Sequence, residues 1–252
     1  MSIKKLWKER QHSPAIVPVR GAVPTVCWEE VPALITIRLW FTKTGEAAYI
    51  SLLDLQRVMQ RAFKRSRLPV WYTQGFNPHI YMTFAAPLAL GQESLVESLD
   101  FKSEVETWDW AAAKAALQSC LPSGINVVKL ELAGRNPNEI AYAVYHFEVE
   151  PQYSLSVKQA LDDYNQLPQA LVIKQGKRGK QKELDLKNYL PQIEYAHRKD
   201  GLFARAVLPT GNTFTLNPSL LLGYLREHNA IDPAWIRVLR VDLLDAQKEK
   251  FC

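Results

Sequence analysis

The sequence predicts an α+β fold in which the element order βαββαβ occurs twice, preceded by a basic arm. Three observations carry that expectation. Ile35, Ile37, Leu39 and Phe41 alternate with Thr36, Arg38, Trp40 and Thr42, the period of two of a half-buried strand. Directly afterwards the period changes: Leu55, Val58, Met59, Ala62 and Phe63 recur at three- and four-residue spacing, one apolar face of a helix. Strand-like and helix-like stretches then return in a similar order after residue 140, giving units 34–132 and 140–243. Two units of this order are expected to form tandem ferredoxin-like (βαββαβ) units with a basic N-terminal arm.

Each element has a local reason. Residues 1–33 mix Lys, Arg, Trp and Pro without a helical or strand period, so they read as an extended or partly disordered arm. Thr44-Gly45 turns the chain after the first strand. Ser51-Leu-Leu-Asp54 has capping-box spacing, with Ser51 set to cap the amide of Asp54 and Asp54 set to reach back. Leu68-Pro69 is expected to end the helix, because the residue before proline avoids helical geometry. A turn at Gln74–Pro78 leads to a strand of Ile80, Met82 and Phe84. Another strand over 95–102, an alanine-rich helix from Trp108 to Cys120 and a strand from Ile125 to Leu132 close the first unit. In the second, strands at 141–150, 170–174 and 202–208 flank a helix at 154–164. Residues 183–195 have no clear pattern. Asn217-Pro218 starts a helix to about His228, an Asn cap followed by proline at the first helical position, and 235–243 is the last strand.

Composition excludes several classes. Hydrophobic residues are 47% and charged residues 23% of the 252, an ordinary globular balance. No run approaches the ~18 apolar residues of a membrane span, and Pro14, Pro18 and Pro24 break any signal-like core in the leader. A cytoplasmic protein with no membrane association is expected. Cys27, Cys120 and Cys252 are far apart and odd in number, which argues against a disulfide framework. Cys-x-x-Cys pairs, a His-Glu-x-x-His helix and glycine-rich phosphate loops are all missing, so no metal and no cofactor is expected.

Charge is the informative quantity. The chain carries a net +5, and residues 38–81 alone hold seven Lys/Arg against two Asp/Glu. Arg57, Arg61, Lys64, Arg65 and Arg67 fall on or beside the face of the first helix opposite its apolar stripe. They are suited to a phosphate backbone through counterion release, or else form a solvated face. Arg38 and Lys43 are further candidate phosphate contacts. So are Lys177, Arg178 and Lys180 of a hairpin, 174–182, that carries five Lys/Arg and no acid. Trp40 and Tyr81 would share one face of the sheet. Exposed aromatics there are how RNA-recognition modules stack bases, whereas a covered face would make them interface. Gln74, Gly75, Phe76, Asn77 and His79 form a candidate recognition loop. His79 is also the one candidate acid/base, its free pKa lying near neutrality.

Phe41-Thr-Lys-Thr-Gly45, Ser51-Leu-Leu-Asp-Leu55, the basic helix to Leu68-Pro69 and Tyr72-Thr-Gln-Gly-Phe-Asn-Pro-His79 resemble a bacterial family known as radical-SAM-linked proteins. Phe84-Ala-Ala-Pro-Leu88 and Gly91-Gln-Glu-Ser94 complete that block, and the resemblance extends from about residue 34 to 243. It implies a domain fused to, or encoded beside, a cobalamin-binding radical SAM protein, often near ribonuclease G and ribosomal proteins. Leu52 stands where the family pattern has a histidine, and Ile80-Tyr81 where it has proline and a basic residue. These departures weaken any chemistry that needs both histidines.

The function expected from residues and resemblance together is an accessory RNA-binding or substrate-presenting protein. Its partners would be RNA, structured or ribosomal, and a radical SAM protein. Two other readings stay open: a metal-independent endoribonuclease-like enzyme using His79, and a protein–protein adaptor whose basic helix docks on an acidic partner without touching RNA.

Overall fold

The computed structural model describes residues 34–175, 181–211 and 214–251. The expected basic arm, 1–33, lies outside them, as do the hairpin-tip candidates Lys177, Arg178 and Lys180. From Leu34 onward the chain forms one unit of mixed α and β structure.

The strands are β1 (Ile35–Lys43), β2 (Met82–Ala85), β3 (Glu93–Ser103), β4 (Ile125–Leu132), β5 (Tyr142–Val149), β6 (Leu171–Gln175), β7 (Gln181–Asp185), β8 (Glu194–Arg198), β9 (Gly201–Pro209) and β10 (Ile236–Leu244). The α-helices are α1 (Leu52–Ser66), α2 (Trp110–Gln118), α3 (Ser154–Gln166) and α4 (Pro218–Asn229). Eight strands share one sheet, in the order β4-β1-β3-β10-β5-β9-β8, with β2 also on β3. β6 and β7 form a separate hairpin, and the unpatterned 183–195 stretch divides between β7, a short turn and β8.

β3 is the shared strand. Its eleven residues are long enough to pair antiparallel with β2 through Ser98–Phe101 and parallel with β10 through Glu93 and Ser94. On one side of that joint the order is β4-β1-β3-β2, and on the other β10-β5-β9-β8, each antiparallel throughout.

The first core forms where α1 and α2 cover one face of this sheet. Leu55, Met59, Ala62 and Phe63 of α1 meet Ile37, Leu39 and Phe41 of β1 and Leu99 and Phe101 of β3. Ser51 caps α1 by accepting from the amide of Asp54. Asp54 does not return the bond to the Ser51 backbone; it accepts from the Ser51 hydroxyl and from Arg57. These bonds, that from Ser51 first, hold its carboxyl below the usual aspartate range. The helix stops at Ser66, before Leu68-Pro69, because Arg67 takes a left-handed conformation at φ 56°. In the second core, α3 and α4 pack against Tyr145, Phe147, Leu202 and Ala204.

β1 departs from the half-buried expectation. Arg38 and Trp40 are as buried as Ile37 and Leu39, because Arg135 and the C-terminal Phe251 close over the second face.

Candidate functional site

The residues singled out in the sequence separate into a buried set and an exposed set. Arg38 donates two hydrogen bonds, of 2.7 and 2.8 Å, to Asp100 and a third to the Arg135 carbonyl. Trp40 donates from Nε1 to Glu131 at 2.7 Å and packs near Phe251. Lys43 donates to the Ala48 carbonyl at 3.2 Å, and burial lowers its pKa from the ordinary lysine value. All three are at most 3% exposed. They are corrected from phosphate or base contacts to structural groups. For Arg38 and Trp40 the covered-face alternative holds, with acids of the neighbouring strands as partners, and Lys43 turns to the 45–49 turn.

The exposed set is one continuous stretch, from α1 through the hairpin after it. Arg57, Arg61, Lys64, Arg65 and Arg67 all point to solvent. Arg57 is tied to Asp54 at 2.9 Å. Among the described residues the other four make no ion pair. Arg57 to Arg65 spans about 12 Å along the helix axis, with a cation at nearly every turn.

Next the chain crosses to the end of β3, where the Trp71 amide donates to the Lys102 carbonyl, and folds back on itself. Thr73 donates from its amide to the His79 carbonyl, and Tyr72 bridges Ile80. Gln74, Gly75, Phe76, Asn77 and Pro78 form the tip, all exposed, with Gly75 at φ +128° where a side chain is strained. Phe76 stands fully in solvent, a large apolar ring with nothing to bury it. At the base of the hairpin, Lys102 lies 4.9 Å from the Tyr81 ring centre and 5.8 Å from that of Trp71, within cation–π range.

His79 is held in the same hairpin. Its amide donates to Thr73 Oγ1, and its Nδ1 lies 3.1 Å from Thr73 Oγ1 and 3.2 Å from the Asn77 carbonyl oxygen. That carbonyl can only accept, so its contact is a hydrogen bond when Nδ1 carries a proton, and Nε2 has no hydrogen-bond partner among the described residues. Leu52, at the histidine position of the resembling pattern, begins α1 and is exposed. No second acid/base group is brought to His79 by any hydrogen bond among the described residues.

A second region was not anticipated. A cleft of about 410 Å³ lies where the 45–49 turn and β3 meet β5, β9 and β10. Its polar wall is Arg237, which donates to Glu93 through Nε and Nη2 and to Glu148 through Nη1. The bonds to Glu93 dominate in raising the Arg237 pKa further above its usual value. Phe203 projects from the face turned away from α3 and α4. Its ring carries the Arg198 guanidinium 3.6 Å above its centre and the His146 imidazole edge-on at 4.6 Å. Burial pushes the His146 pKa down, toward the neutral ring. The alternation of β9 places Phe203 opposite Leu202 and Ala204, but which face stays uncovered depends on the packing of two distant helices.

Membership completes this picture. No significantly similar protein was found among curated proteins. A crystal structure of an unknown protein from Galdieria sulphuraria is 13% identical, with 83% of this chain and 99% of that chain covered and a TM-score of 0.26, which carries no argument about the fold. Among the described residues no helix is long and apolar enough to cross a membrane. The family match spans residues 36–218, taking in α1, the 70–81 hairpin and most of the cleft, and the chain belongs to the family described as an uncharacterized protein conserved in bacteria (DUF2344).

Proposed function

We propose that this protein is a cytoplasmic accessory RNA-binding protein that holds a structured or ribosomal RNA for a radical SAM partner enzyme. One observation carries the RNA reading: Arg61, Lys64 and Arg65 on α1 and Arg67 just past its end have no ion-pair partner among the described residues, and the hairpin that follows exposes Phe76 and Tyr81. Unpaired cations on a rigid helix release counterions when they meet phosphates. Exposed rings next to them give unpaired bases a surface to stack on. The radical SAM partner rests on the resemblance of the 41–94 block alone. The strand orders β4-β1-β3-β2 and β10-β5-β9-β8 support reading the halves as ferredoxin-like units, 34–132 and 140–243, with the β6–β7 hairpin as an insertion.

Crosslinking in cells followed by sequencing of the bound RNA tests this reading. The expected result is a restricted set of RNAs recovered with the native chain and lost from an Arg61→Ala/Lys64→Ala/Arg65→Ala variant. Equal recovery from both proteins would oppose it. An acidic protein partner would be retained after nuclease treatment, which is the adaptor outcome.

The Nδ1 contacts of His79 with Thr73 and the Asn77 carbonyl give an enzymatic reading one supporting observation, because they orient the ring and leave Nε2 without a hydrogen bond among the described residues. RNA cleavage by the native chain that disappears in His79→Ala would favour it. Cleavage unchanged in that variant removes it.

A further inference from the structure

We propose that the cleft between the 45–49 turn and the β5–β9–β10 face binds a guanine base. This does not rest on the α1 reading, since none of the α1 cations lines the cleft. The argument begins with volume. About 410 Å³ falls within the ~300–1,000 Å³ of pockets that take small organic ligands.

The walls then define a flat ligand. Arg198 lies over the Phe203 ring, 3.6 Å from its centre, so the covered ring supports the guanidinium, whose outer plane is a surface on which a nucleobase stacks. Trp235 lines the cleft too, with its ring backed by Tyr153 in parallel at 4.5 Å, so the wall it offers is held in place. Tyr49 stands at the cleft, largely exposed.

The polar groups choose among flat ligands. Arg237 is occupied by Glu93 and Glu148, whereas Arg198, lying over Phe203, keeps its N–H groups for an acceptor such as a ring carbonyl or a phosphate. Two carboxylates do remain. Asp200, in the β8–β9 turn, has no ion-pair partner among the described residues. Glu150, just after β5, accepts from the Gln152 amide and has no cation beside it. Ionised carboxylates only accept hydrogen bonds, so they favour an edge rich in donors. Guanine is the base whose Watson–Crick edge sets two donors side by side, N1–H and the N2 amino group, in reach of one carboxylate. Adenine and cytosine offer there one amino group, and uracil one imino proton. A metal is not the alternative, because no group of three or more His, Cys, Asp or Glu among the described residues is placed to hold one.

Calorimetric titration of the full chain with GMP, IMP, AMP, CMP and UMP tests the proposal. GMP is expected to bind most tightly, IMP more weakly for want of the N2 amino group, and the other three weakest. Trp235→Ala should weaken GMP by about 5–150-fold, the range of one base–aromatic stack. The exposed pair Glu150→Gln/Asp200→Asn, which does not burden folding, should erase the preference of GMP over IMP. A short uridine-rich RNA with and without one central guanosine separates the sources. Preference for the guanosine strand without GMP binding assigns the base to RNA, and GMP binding alone assigns it to the free nucleotide. Equal affinity for all bases in both arms, or no binding in either, overturns the proposal, as does a GMP affinity unchanged by both variants. The Arg61→Ala/Lys64→Ala/Arg65→Ala variant should keep GMP binding, so failure of the helix reading is seen separately.

Discussion

Arg240 lies on β10 with its guanidinium withdrawn from water, held by Glu97 of β3, the Ala86 carbonyl and Ser94. Lys43, buried on β1 and bonded to the Ala48 carbonyl, lies within electrostatic reach of the same carboxylate without pairing with it. Breaking a buried pair by removing one partner costs roughly 3–5 kcal/mol, because the survivor stays charged and dry. Glu97→Gln leaves Arg240 buried without its acid and is expected to reach that range in urea unfolding. Arg240→Met leaves Glu97 within reach of the Lys43 charge and is expected to cost less; an equal or larger loss would mean that Lys43 does not offset the Glu97 charge. The same cluster carries a pH signature. Burial holds the folded pKa of Lys43 below the 10.5 of an unfolded lysine. Between those two values the unfolded chain binds more protons, so this group makes stability rise as pH climbs toward 10.5. The stability difference between the native chain and Lys43→Met should therefore drift in favour of the native chain over that alkaline window. A flat difference would mean that Lys43 is not held in an unfavourable charged state.

At the scale of elements, legibility followed the range of the information. α1 was readable because its cap, its apolar stripe and its basic face all lie within sixteen residues, Ser51 to Ser66. The second face of β1 was not, because the acid that buries Arg38 is 62 residues away on β3 and the ring over Trp40 is Phe251. The cleft was hidden for the same reason. His146 and Phe203 alternate normally in β5 and β9, and only strand register brings their rings together. The β8–β9 turn that carries Asp200 into that cleft depends on a glycine. At Gly201, φ is +134° and an added Cβ would lie 1.9 Å from the Val149 carbonyl oxygen. Gly201→Ala should exceed the roughly 1–3 kcal/mol of backbone strain alone, since β9 must also move from β5. Gly75→Ala, also at positive φ but with open space around it, should cost only the strain. Thermal unfolding of the two variants compares them directly, and equal losses would contradict the close packing of the turn.

Across the whole molecule, β3 joins two strand groups into one sheet and sets two different surfaces on it. One is a cationic helix with an exposed aromatic hairpin, turned outward from the first half. The other is the carboxylate-rimmed cleft at the joint, walled by Phe203 and Trp235. Phosphates suit the first and a donor-rich base edge suits the second. On the proposed reading, the clustered cations of α1 would place a polyanion, and the net charge says little about which bases would be read.

The most direct test of the central claim is the salt dependence of single-stranded RNA binding. Each phosphate contact on a single strand contributes about −0.7 to the slope of log K against log salt concentration. With Arg61, Lys64, Arg65 and Arg67 engaged, the account predicts a slope near −3, becoming shallower by about 2 in Arg61→Ala/Lys64→Ala/Arg65→Ala. A slope close to zero, or one that the triple variant leaves unchanged, would contradict it.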